Sequence, residues 1–175
     1  MTDSCRFLSR LVISFGLAMA ATLPSSAALA APDEMALLRS YLGDWQGKGT
    51  LTGADIYPMR CQLSLLEGNT GRVNYSGRCH VEGVNLSLNG TLAYIEKLRR
   101  FEAAMTTNAA FSGVAIGQKR GDTLVFNLNE RDRAEGKDLT ITARIVLDRG
   151  GIDVEFYAVY DQTGENLRAQ VPFSR

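Results

Sequence analysis

From Asp44 to the C-terminus, apolar and polar residues alternate with a period of two. Met59, Cys61, Leu63 and Leu65 are interleaved with Arg60, Gln62 and Ser64. After the turn Gly68-Asn69-Thr70-Gly71, Val73, Tyr75, Cys79 and Val81 are interleaved with Arg72, Asn74, Ser76, Arg78 and His80. This is the signature of half-buried strands. It continues through Val84, Leu86 and Leu88, with Gly90 expected to kink that strand or separate it from Thr91–Ile95. A basic turn at Lys97–Arg100 leads into Phe101–Met105, and Phe111–Gly117 follows with small residues on one face. Leu124, Phe126 and Leu128 come next, then a charged stretch, Asn129–Asp138, that reads as a solvated loop. Alternation resumes at Leu139, Ile141, Ala143, Ile145 and Leu147, at Ile152, Val154, Phe156, Ala158 and Tyr160, and at Leu167, Ala169, Val171 and Phe173.

Only one earlier segment has the helical period. Pro32-Asp33-Glu34 supplies a proline and two acids at a helix start. Met35, Leu38 and Leu42 follow at i, i+3 and i+7, with Leu37 and Tyr41 beside them, and Gly43 is placed to end the helix.

The pattern predicts ten or eleven strands joined by short turns, an all-β, up-and-down antiparallel meander behind a short N-terminal helix. An open sheet of that size exposes two edges, and closure into a barrel removes both. There is no internal repeat to suggest a propeller or solenoid. Inward positions are mainly Leu, Ile, Val and Phe, but Gly77, Gly113, Ala115, Gly117, Ala143, Ala158 and Ala169 share the same faces. Small residues there leave either a cavity or room for close packing, and the pattern alone does not choose.

The first thirty residues change the picture of compartment. Arg6 and Arg10 precede the apolar run Leu11–Ala20, Pro24 breaks it, and Ala28-Leu29-Ala30 is an A-x-A cleavage site. This is expected to be a secretory signal peptide over 1–30, with a single domain over 31–175. The apolar run is well short of the ~20 residues a spanning helix needs, so no membrane anchor is expected after cleavage. Cleavage takes two basic residues and one acid from the 19 and 19 of the whole chain, leaving a net charge of −1. That gives no electrostatic case for nucleic acid as a partner. Cys5 leaves with the leader, and Cys61 and Cys79 remain, an even pair in an exported, periplasmic or secreted protein. A hairpin centred on Thr70 sets these two directly opposite each other on apolar strand faces, within disulfide range.

The string Leu42-Gly43-Asp44-Trp45-Gln46-Gly47-Lys48-Gly49 carries a resemblance. A short helix, a G-x-W at the first strand and a meander resemble the calycin group of lipocalins, fatty-acid-binding proteins and their relatives. The fuller string is similar to the opening of nitrobindin-like haem-binding barrels, L-G-x-W-x-G-x-G. The resemblance implies a barrel whose closed end is packed by Trp45 beneath a basic residue of a late strand, for which Arg168 is the candidate. It also implies haem held by a late histidine. The chain has one histidine, His80, early and on a polar face, so no cofactor is expected.

Catalytic constellations lack parts: there is no G-x-S-x-G, H-E-x-x-H, C-x-x-C or P-loop motif, and neither an enzyme nor a metal site is expected. The leading expectation is a barrel that binds a small hydrophobic or amphipathic ligand, lined by Tyr75, Tyr94, Phe101, Phe126 and Phe156. The competing expectations are a protease-inhibitor-like barrel and an envelope structural or interaction protein with a filled core.

Overall fold

A computed structural model describes residues 30–109, 111–134 and 136–175. The expected signal peptide lies outside the described residues but for Ala30.

The helix, α1, spans Ala30–Arg39. It ends sooner than the hydrophobic spacing suggests. Over residues 40–42 the chain tightens into i→i−3 bonds, Tyr41 N–H to Leu38 C=O at 3.2 Å and Leu42 N–H to Arg39 C=O at 3.1 Å. Gly43, at φ 127°, then turns the chain into the first strand.

Ten strands follow: β1 Gly43–Thr52, β2 Ile56–Glu67, β3 Arg72–Val81, β4 Val84–Ile95, β5 Arg100–Thr107, β6 Ser112–Arg120, β7 Thr123–Ala134, β8 Lys137–Asp148, β9 Gly151–Tyr160 and β10 Asn166–Ser174. Each is antiparallel to its neighbour in sequence, and β1 pairs with β10 to close the barrel. The all-β, up-and-down barrel expected from the alternation is therefore observed, and closure leaves no free sheet edge.

Three local expectations are corrected. Gly90 does not break its strand: β4 runs unbroken from Val84 to Ile95. A Cβ on Gly90 would lie 2.0 Å from the Ala104 carbonyl oxygen and 2.5 Å from the Tyr75 ring, so glycine serves close packing there. The stretch 129–138 is not a loop: Arg131↔Thr140, Asp132↔Leu139 and Arg133↔Asp138 continue the β7–β8 ladder. Charged residues fit a ladder whose side chains reach water, which composition alone reads as loop. The basic turn is a short 3₁₀ helix, Glu96–Leu98, ended by Arg99 at φ 49°.

Cys61 and Cys79 are register partners on β2 and β3 and form a disulfide, with Cα atoms 4.0 Å apart. At the closing seam, a Cβ on Gly49 would lie 2.0 Å from the Gln170 carbonyl oxygen, and one on Gly47 would meet Val171 and Phe173 within 3 Å. These glycines let β1 and β10 approach each other closely.

The helix covers one end of the barrel. Leu38 and Tyr41 are buried there and belong to the same apolar core as Trp45, Leu65, Val73 and Leu124. Tyr41 Oη donates to the Leu147 and Asp122 carbonyls at 3.0 and 3.1 Å. Trp45, 4% exposed, donates its indole N–H to the Tyr41 carbonyl at 3.0 Å. The cation over the indole is Arg175, 4.3 Å from the ring centroid, and its Nη2 also donates to the Ser40 and Leu42 carbonyls at 2.9 and 3.1 Å. Arg168 is not there. It lies toward the opposite end of β10, exposed, opposite Thr52 and Tyr157. Its place in the alternation turns it outward, whereas Arg175 continues the inward series of Val171 and Phe173.

Two consequences are measurable. Trp45→Ala is expected to cost about 3–5 kcal/mol in urea unfolding. Arg175→Ala is expected to cost less, about 1–2 kcal/mol, because it removes a cation–π contact and two carbonyl caps but opens no cavity. An equal loss in both would mean that the indole's burial contributes little. Separately, the Cys61→Ala/Cys79→Ala double variant is expected to lose roughly 3 kcal/mol through the freed loop, read from the same unfolding midpoint.

Candidate functional site

Strand alternation sends one set of side chains into the barrel. Near the helix these are fully buried: Leu65, Val73, Phe101, Leu124 and Phe126 are each no more than 2% exposed. At the other end Met59, Val81, Phe111, Leu139, Ile141 and Ala158 are also buried. Between these two ends burial is mixed: Cys61, Ala103, Ala115, Leu128 and Val171 are buried. Leu63, Tyr75, Cys79, Met105, Ala143, Ile145, Val154 and Phe156 also face inward and are only partly buried. These residues are the least completely packed part of the inner face, and they are almost wholly apolar.

The sequence-predicted lining divides in two. Tyr75 and Phe156 face inward and are partly buried. Phe101 and Phe126, with Tyr94 beside them, pack into one another and have little or no surface left: the Tyr94–Phe101 centroids are 5.0 Å apart and the Phe101–Phe126 rings meet edge-on at 6.4 Å. Gly117 makes this possible, since a Cβ there would sit 2.5 Å from the Phe126 ring. These aromatics are the upper plug rather than the lining. The aliphatic walls, Leu63, Met105, Ile145 and Val154, were not singled out from sequence. The signal for them was available in the strand register, because they sit mid-strand on the inward face. Aromaticity favoured the wrong members of the same set.

One polar group enters this region. The Tyr75 hydroxyl donates to the Ala104 carbonyl at 2.9 Å, reaching across the space that Gly90 leaves empty. Burial pushes the Tyr75 phenol above the usual tyrosine range. Tyr41 is raised as well, first by burial and then by the Asp148 carboxylate. His80 lies on the outer face of β3, exposed, with Nδ1 3.1 Å from Asn85 Oδ1. It has no access to the lumen. Among the described residues no group of three or more His, Cys, Asp or Glu side chains could hold a metal ion, and no helix is long and apolar enough to cross a membrane.

No family model matches the chain, and no curated protein sequence is significantly similar to it. Solved structures do match. Rv2717c from M. tuberculosis superposes with a TM-score of 0.59 at 16% identity, over 81% of this chain and 97% of that one. The S-type phycobiliprotein lyase CPES from Guillardia theta superposes at 0.50 and 9% identity, over 83% and 92%. The fold is calycin-like. At these identities the likeness concerns the fold alone.

A pH dependence follows from Tyr75. A tyrosine whose pKa is raised by folding favours the native state while it stays protonated. Its contribution is complete below the unfolded value of about 10 and is lost as pH rises through the raised value. Tyr75→Phe is expected to flatten the loss of stability above about pH 10 and to remove one late-ionising phenol from an absorbance titration. An unchanged alkaline profile would show the phenol to be solvated.

Proposed function

We propose that the protein is an exported barrel that binds a small apolar or amphipathic ligand within its lumen, and that it acts by binding rather than by catalysis. The observation that carries the reading is the band of partly buried, inward-facing side chains between two closed ends. Burying apolar ligand surface against that band yields about 25 cal/mol per Å² before the costs of association. The wall supports a ligand of low polarity, since among the described residues no charged side chain is buried and the Tyr75 hydroxyl is already engaged. Similarity of fold to a phycobiliprotein lyase is compatible with a barrel that accommodates a small molecule. The Cys61–Cys79 disulfide fits an oxidising compartment and supports export, in line with the leader-like first thirty residues.

Organic extraction of the purified protein, followed by mass spectrometry and an absorbance spectrum, is expected to release a bound lipid or pigment. The stripped protein is expected to bind an apolar fluorophore. Ala143→Phe places a ring in the lumen and is expected to abolish fluorophore binding at a stability cost below about 1 kcal/mol. Overpacking an already filled core costs about 1–3 kcal/mol instead. A clean extract, no fluorophore binding and a large penalty for Ala143→Phe would together favour a filled barrel that works through its outer surface.

A further inference from the structure

The outer wall carries a feature unrelated to the lumen. Register places Lys48 of β1 directly opposite Arg60 of β2, and Arg60 directly opposite His80 of β3. In the next row, Gln46 is opposite Gln62 and Gln62 opposite Arg78. Three cations and the histidine thus share two adjacent cross-strand rows, where directly opposed residues lie about 4.5–5.5 Å apart. Like charges directly opposite each other in a sheet are unfavourable. Among the described residues Lys48, Arg60 and Arg78 make no side-chain hydrogen bond or ion pair that would relieve this, and all three are exposed.

These residues line one end of an open groove of about 1130 Å³ that crosses the strands on the outer face. Gln46, Gln62 and Asn85 add neutral carboxamides beside the cations. Acids occupy the opposite end. Asp148 is committed to its own turn, accepting from the Gly150 and Gly151 N–H groups at 2.8 and 3.0 Å. Asp153 lies two strands from Lys48, across Pro172, at a distance of about 10 Å from interstrand spacing. Glu82, in the turn after His80, and Asp44, two residues before Gln46 on the exposed face of β1, are the further carboxylates near in sequence. The groove is therefore basic at one end only and bounded by acids at the other, which suits a short occupant and disfavours an extended anionic surface.

We propose that this end of the groove is a binding site for a small soluble polyanion carrying at least two phosphate or sulfate groups. Arg60 sits at the centre, Lys48 and Arg78 flank it, and the carboxamides donate to the remaining oxygens. The guanidinium forks match tetrahedral oxyanions, and the bound anion offsets the repulsion along the row.

Tripolyphosphate titrated into the full purified chain at constant ionic strength is the test, read by calorimetry and by thermal midpoint. Saturable binding with a raised midpoint is expected. Arg60→Gln is expected to weaken binding at least tenfold while leaving the ligand-free midpoint equal to or above that of the parent, because it relieves the like-charge row. Arg78→Gln is expected to weaken binding too, and Arg120→Gln, on the distant β6, to leave it unchanged. Three outcomes would overturn the proposal: a midpoint shift reproduced by sodium chloride at the same ionic strength, equal binding by Arg60→Gln and the parent, or binding to phosphatidylglycerol vesicles without binding to tripolyphosphate.

Discussion

The indole of Trp45 is the hinge of the structure in the mechanical sense. Its N–H is fixed by the Tyr41 carbonyl, at the end of the N-terminal helix segment, and its face is covered by the guanidinium of Arg175, the last residue. One side chain thus ties the first strand to the segment after the helix and to Arg175 beyond the last strand. Arg175 completes the tie by capping the Ser40 and Leu42 carbonyls, two of the groups a helix end leaves without partners. The exposed Arg39–Glu67 pair, whose exposure limits what it contributes, and the largely covered Glu34–Lys119 pair add to the attachment of the helix. The closing pair β1–β10 brings the first and last strands together, so the tie and the barrel seam reinforce one another.

Closing that end so firmly has a consequence for the interior. The aromatic group Tyr94, Phe101 and Phe126 fills the space beneath the helix, with Gly117 yielding room for it. A second plug, with Met59, Phe111 and Ile141, fills the other end. Between the ends, Ala143 and Val154 are small inward side chains that are only partly buried. A ten-stranded barrel is wider than one whose interior side chains just fill, so some interior space follows from strand number as well.

Much of this was legible in the sequence, and the parts that were not have physical reasons. Period-two alternation identified the strands, and the turn at Thr70 set the register that joins Cys61 to Cys79, because both depend on local rules. Arg168 was the wrong cation because the choice rested on family resemblance. Counting the alternation two further residues from Phe173 reaches Arg175. The 129–138 stretch was misread because a strand pair whose side chains meet water is composed like a loop. The aromatic lining residues were chosen by size, which does not distinguish the partly buried Phe156 from the fully buried Phe126. The opposed Lys48, Arg60 and His80 could not be seen as a row until three strands were in register.

The central claim is that the barrel holds an apolar void between two plugs. Crystals of the ligand-stripped protein exposed to xenon under pressure measure this directly, since apolar cavities in proteins take up xenon and stay dry without it. The account predicts a xenon peak among Leu63, Met105, Ile145, Val154 and Phe156. Absence of xenon there, with those side chains in mutual contact or bridged by ordered water, would contradict it.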